Sequence, residues 1–166
     1  MKGAAIARAI LSGGLIAATI DIGAACLINH RSIPFILHSI AGGLLAMDSF
    51  RGGAGTAFMG LFLQEFMGLV IAAVYVGAAL ALPTLLHRWI PCGVAYGVVI
   101  FMVMNYVVVP LSAWRRVPHF TAATFVANLM AMLLFGGIVA YSASRRIPAG
   151  AARVRGPGPG RESPRS

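Results

Sequence analysis

Asp21 and Glu65 are carboxylates set inside apolar runs, Asp21 within residues 9–28 and Glu65 within residues 56–82. The chain has only four acidic residues, so half of them fall where a membrane helix would run. An ionised carboxylate at the centre of such a helix costs roughly 2.5 to 3.5 kcal/mol on insertion scales, and residues of this kind mark ion or proton pathways by default. With a rise of ~1.5 Å per residue, Asp21 lies about 10 Å below the outer end of its run and Glu65 about 13 Å below the outer end of the next. The same count puts Asn105 about 6 Å and Asn128 about 10 Å down two later runs. Asp21, Gln64, Glu65, Asn105, Tyr106 and Asn128 are therefore expected to form one polar layer. Three chemistries satisfy it: protonated acids hydrogen-bonded to the amides and Tyr106 as a clamp between helices, a bound proton or cation, or an outer-loop arginine reaching down.

A second set of candidates belongs to the outer face: His38, Asp48, Arg115, Arg116 and His119. With His30 they contain zinc-type ligands, and Arg115, Arg116 and the histidines could grip an anionic headgroup. Their spacing matches no established metal motif, so neither a metal nor a cofactor is expected. Paired cysteines and the HExxH, GxSxG and P-loop signatures are absent from the sequence. An enzyme is accordingly the less favoured class.

These side chains must be held by helices. The 166 residues are 59% hydrophobic and 10% charged, far from the quarter or so of charged residues in soluble domains. Four runs, about 9–28, 56–82, 92–109 and 121–141, approach or exceed the ~20 residues that a hydrocarbon core requires. The expected fold is an all-α integral membrane protein, a bundle of four transmembrane helices within residues 9–146. Between the first two spans, residues 33–47 repeat apolar side chains at helical spacing, with Ser32 placed to cap and Pro34 in the first turn. That segment is read as a short interfacial or re-entrant helix. Asp21 would interrupt the apolar core of a signal peptide, and Gly23 suits a lipoprotein-type cleavage site poorly, so the first span is expected to be retained.

The net charge of +9 is concentrated in arginines at the end of the chain. Lys2, Arg8, Arg88 and six arginines after the last span stand on one side, against Arg31, Arg51, Arg115 and Arg116 on the other. The basic flank 1–8 and both termini are therefore expected in the cytoplasm of an inner-membrane, multi-pass protein. Residues 147–166 are rich in Pro, Gly, Arg, Ser and Ala, a composition that predicts a disordered tail meeting anionic lipid. The tail offers no aromatic residue for base stacking, and nucleic acid is not an expected partner. A homodimer is an expectation too, because four helices enclose little space.

Gly13, Asp21, Arg31 and Pro34 have the same mutual spacing as Gly97, Asn105, Arg115 and Pro118, a faint sign of two related halves. The stretch from Met104 through Asn105, Tyr106 and Pro110 to Ser112, together with the Asp21 segment, resembles an uncharacterised family of small bacterial inner-membrane proteins with four helices. The resemblance covers most of residues 9–142 and implies topology and location, with no activity attached. The small multidrug transporters are similar in having four helices and an intramembrane carboxylate, but the long outer segment and the second acid depart from their pattern. Two functions are therefore carried forward: a membrane protein handling a proton or cation, and a structural or assembly component in which the layer is glue. Lipid-headgroup binding or an enzymatic site at the outer face stands third.

Overall fold

The computed structural model describes residues 2–115 and 120–147, and these are helical almost throughout. In chain order the helices are α1 (Lys2–Asn29), α2 (Ile33–Leu45), α3 (Gly53–Ala81), α4 (Thr84–His87), α5 (Trp89–Val103), α6 (Val109–Leu111) and α7 (Ala122–Arg146). A 3₁₀ turn, Ala46–Arg51, leads from α2 towards α3, and a π-helical turn, Met104–Val108, joins α5 to α6. Five stretches are long and apolar enough to cross a membrane: Gly3–Asn29, Ile33–Arg51, Gly53–Ala81, Trp89–Leu111 and Ala122–Arg146. This is one more than the sequence reading counted. The addition is the segment read as interfacial, because the 3₁₀ turn lengthens α2 to the size of a short span.

Contacts between named residues set the directions of the helices. Gly14 of α1 lies against Gly68 of α3 and Asp21 is bonded to Gln64, so these two helices run antiparallel. The end of α1 and the start of α3 therefore share one side, and residues 33–51 leave from and return to that side. Gly93 meets Gly136 and Ala140, and Gly97 meets Leu133, which makes α5 and α7 antiparallel as well. The α7 helix packs between α5 and α1, with α3 on the other flank of α1 and α2 laid over α3.

Packing rests on small residues, as it must where lipid is as apolar as the side chains and helices associate by close van der Waals fit. Ala17, Ala18, Ala72, Ala79, Ala140 and Ala143 are buried together with Tyr75, Val76, Phe135 and Val139. Large apolar side chains such as Phe58, Phe62, Met102, Met130 and Leu134 stand outward. Tyr75 donates from its hydroxyl to the Leu85 carbonyl at 3.0 Å, and Tyr96 to that of Ile71 at 2.7 Å, tying the α4 turn and α5 to α3.

Local signals explain most of the helix ends. Thr121 and Thr124 form a reciprocal capping box at the start of α7, and Arg145 and Arg146 occupy its last turn, where positive charge suits the dipole. Ser32 precedes α2 but makes no side-chain cap, correcting the expectation for it. Pro110, expected to end the third span, does not. It has no N–H to give to the Tyr106 carbonyl, and the backbone widens into the π turn, in which the Val109 N–H reaches back to Met104, before helix continues to Leu111. At the other end, Ile147 is buried and its N–H bonds Ala143, so the packed region extends one residue into the stretch read as tail. The rest of that stretch lies outside the described residues.

Candidate functional site

The α1–α3 interface is built around glycine. A Cβ on Gly14 would meet the Gly68 carbonyl oxygen at 2.9 Å, and one on Gly68 would meet Ala18 Cβ at 2.7 Å. With the two backbones this close, side chains one turn further out are brought within hydrogen-bond reach. The Gln64 Nε2 amide donates to Asp21 Oδ2 at 2.9 Å, and the Thr19 hydroxyl donates to Glu65 Oε1 at 3.0 Å. Glu65 Oε2 is buried without a hydrogen-bond partner among the described residues. Neither carboxylate is in an ion pair with a described residue; the pair that is seen joins Arg51 to Asp48 at 3.9 Å, both largely exposed.

The polar layer is thus narrower than the sequence suggested. Asn105 donates to the Phe101 carbonyl at 2.9 Å and Asn128 to that of Thr124 at 2.7 Å, each one turn back on its own helix. Tyr106 is exposed. These three do not join Asp21, Gln64 and Glu65, because an intrahelical carbonyl four residues back satisfies an amide without another helix. Thr19 is the member that the sequence reading missed. It is one of the few polar residues inside the first span, and its position two residues before Asp21 was the available signal. Glu65 and Gln64, though adjacent on α3, both reach α1, through Thr19 and Asp21 respectively.

Asp21→Leu should lower thermal stability in detergent by about 1–2 kcal/mol, because the Gln64 amide loses its acceptor inside the span. Asp21→Asn keeps an acceptor oxygen and should stay within about 0.5 kcal/mol of wild type.

At the end of the bundle where α1 ends and α3 begins, residues from both connecting segments come together. Ala113 donates its N–H to the Gly43 carbonyl at 2.8 Å, and Trp114 donates from Nε1 to that of Ser39 at 3.0 Å, its ring lying against Gly42. Phe50 links the Trp114 ring, 6.4 Å away between centroids, to His38 at 5.8 Å and Phe35 at 5.2 Å. Arg31 lies over Phe35, and Arg115 is exposed with φ of 47°. Both ring nitrogens of His38 face backbone oxygens, Nδ1 that of Pro34 at 2.6 Å and Nε2 that of Gly53 at 3.0 Å. Arg116 and His119 lie outside the described residues. Among the described residues, no three His, Cys, Asp or Glu side chains group as metal ligands would.

Residues 15–149 match the profile of a family described as conserved membrane protein YqhR. The chain belongs to the YqhR family. This membrane protein family is of unknown function, and its match spans the α1–α3 site, the π turn and α7. No curated protein and no solved structure matches the chain. For this YqhR family member the membrane assignment therefore rests on the family together with the five apolar helices.

Proposed function

We propose that this chain is a four-span inner-membrane protein in which the carboxyl pair Asp21 and Glu65 takes up and releases a proton or a cation. The observation that carries this reading is the company the two acids keep. Both face the α1–α3 interface, their partners are the neutral Gln64 and Thr19, and one Glu65 oxygen is buried without a partner among the described residues. An ionised carboxylate in such a place is costly, and residues of this kind mark ion or proton pathways by default.

Four crossings are favoured over five because residues 33–51 begin and end on the same side of the antiparallel α1–α3 pair. The α2 helix and the 3₁₀ turn then form an outer cap. The distribution of Lys2, Arg8, Arg88, Arg145 and Arg146 against Arg31, Arg51 and Arg115 supports cytoplasmic termini. Contact of the basic tail with anionic lipid and assembly as a homodimer belong to the same proposal.

Glue between helices is the second reading, favoured by the Gln64 to Asp21 bond across the interface. A headgroup or catalytic site at the outer face has less support. The outer segments meet, but through Trp114 and backbone, while Asp48 is taken up by Arg51 and His38 by carbonyl oxygens.

The deciding experiment compares wild type with the Asp21→Asn, Glu65→Gln double variant in detergent, following thermal stability across pH and with added monovalent and divalent cations. Proton or cation handling predicts a titration or cation-dependent shift in wild type that the double variant lacks. Superimposable curves would leave glue.

A further inference from the structure

We infer that His38 is a proton-dependent latch between the outer cap and the bundle. The inference is independent of the carboxyl pair and rests on donor arithmetic. A neutral imidazole carries one N–H and one lone-pair nitrogen, whereas an imidazolium carries two N–H groups. Pro34 O and Gly53 O can only accept. With both ring nitrogens held against them, at 2.6 and 3.0 Å, only the charged ring satisfies both contacts. The neutral ring keeps one bond and turns a lone pair towards the other oxygen.

The two oxygens lie on different elements. Pro34 is on the first turn of α2, four residues before His38, and Gly53 is the first residue of α3. Gly53 has φ of +59° and follows Gly52, and its carbonyl oxygen also accepts from the Thr56 hydroxyl at 3.0 Å, so the bridge closes at the turn into α3. His38 also stacks on Phe50 of the 3₁₀ turn. Protonated, His38 pins α2 to the start of α3. Neutral, it leaves the cap held by Trp114 on Ser39, Ala113 on Gly43 and Thr56 on Ser49.

The surrounding charges leave His38 to act alone. It is the single titratable residue of α2, and the first eleven residues of α3 have none. Asp48 and Arg51 of the 3₁₀ turn are paired with each other and exposed. Arg31 lies over Phe35, and His30 and Arg115 are exposed. The sign follows from the donors: the bridge is complete when the ring carries two N–H groups and loses one bond when it carries one.

The test is hydrogen exchange of the amides from residue 33 to residue 60 in the full-length protein, at pH 5.5 and at pH 8. Exchange is expressed as the ratio of His38→Gln to wild type at each pH, so that the intrinsic pH dependence cancels. One charge-assisted hydrogen bond predicts wild type to be protected about fivefold or more at pH 5.5, with the ratio near one at pH 8. A ratio equal at both pH values overturns the latch. Imidazole ¹⁵N resonances of wild type give a reading that needs no variant. Two protonated nitrogens at pH 5.5 and one at pH 8, with a concerted shift of the Gly53 and Ala54 amides, support the latch; a ring neutral at both overturns it.

Discussion

Gly97→Val is expected to separate α5 from α7 and to leave little folded protein in the membrane. A Cβ at position 97 would lie 2.5 Å from the Met132 carbonyl oxygen and 2.6 Å from Leu133 Cα. Both obstacles are backbone and cannot turn aside, and Gly93 and Gly136 hold the two helices equally close one turn away. Overpacking a core costs typically ~1–3 kcal/mol when side chains can give way, and this site is expected at or above about 3. In lipid nothing hydrophobic drives the pair back together once the fit is lost. Gly137→Val is the matched control. It carries the same β-branched side chain into the same bundle, yet nothing lies within 4 Å of a Cβ built there. Thermal unfolding in detergent should place Gly137→Val near wild type and Gly97→Val far below it. Equal behaviour of the two would mean that α5 and α7 are not in backbone contact.

The same glycines show what could be read in the sequence. Small residues around Asp21 and Gln64 made close helix contacts legible, but not which helices they join: Gly14, Ala18 and Gly68 meet between α1 and α3, whereas Gly60 packs on Leu37 of α2 and Gly13 on Ser142 of α7. Depth along a helix follows from counting residues. Rotamers do not: Asn105 and Asn128 turn back to the carbonyls of Phe101 and Thr124 on their own helices, and no spacing rule distinguishes that from a bond to a neighbour. Pro110 gave a stop signal that the chain answers with a wider turn, since a π turn absorbs the missing N–H at little cost to the helix. The docking of Trp114 on Gly42 joins residues far apart in the chain, and sequence periodicity carries no information about such a pairing. The outer segment itself was read as an apolar helix. Its fastening on two sides, by His38 to Gly53 and by Trp114 to Ser39 and Gly42, came only with the tertiary contacts.

That fastening makes Trp114→Ala the other large prediction. The substitution removes the indole bond to Ser39 and the ring that covers Gly42 and meets Phe50. Truncating a buried tryptophan costs about 3–5 kcal/mol, and the partial exposure of Trp114 places the expected loss near 3. Trp114→Phe keeps most of the ring and gives up the N–H, which should cost about 1 kcal/mol. The loss should be local. Hydrogen exchange of residues 39–51 should accelerate strongly while the α1–α3 interface around Asp21 keeps its protection, because α2 rests on the outer half of α3 and Gly14 with Gly68 holds the deeper half. If protection falls evenly across the bundle, the outer segment is part of the core and not a cap over it. Combining Trp114→Ala with His38→Gln sharpens the distinction. Each single change leaves the other tie in place, His38 to Gly53 or Trp114 to Ser39, so the double variant should lose more protection at acid pH than the two single losses added together, whereas at pH 8, with the histidine bridge already incomplete, the second substitution should add little.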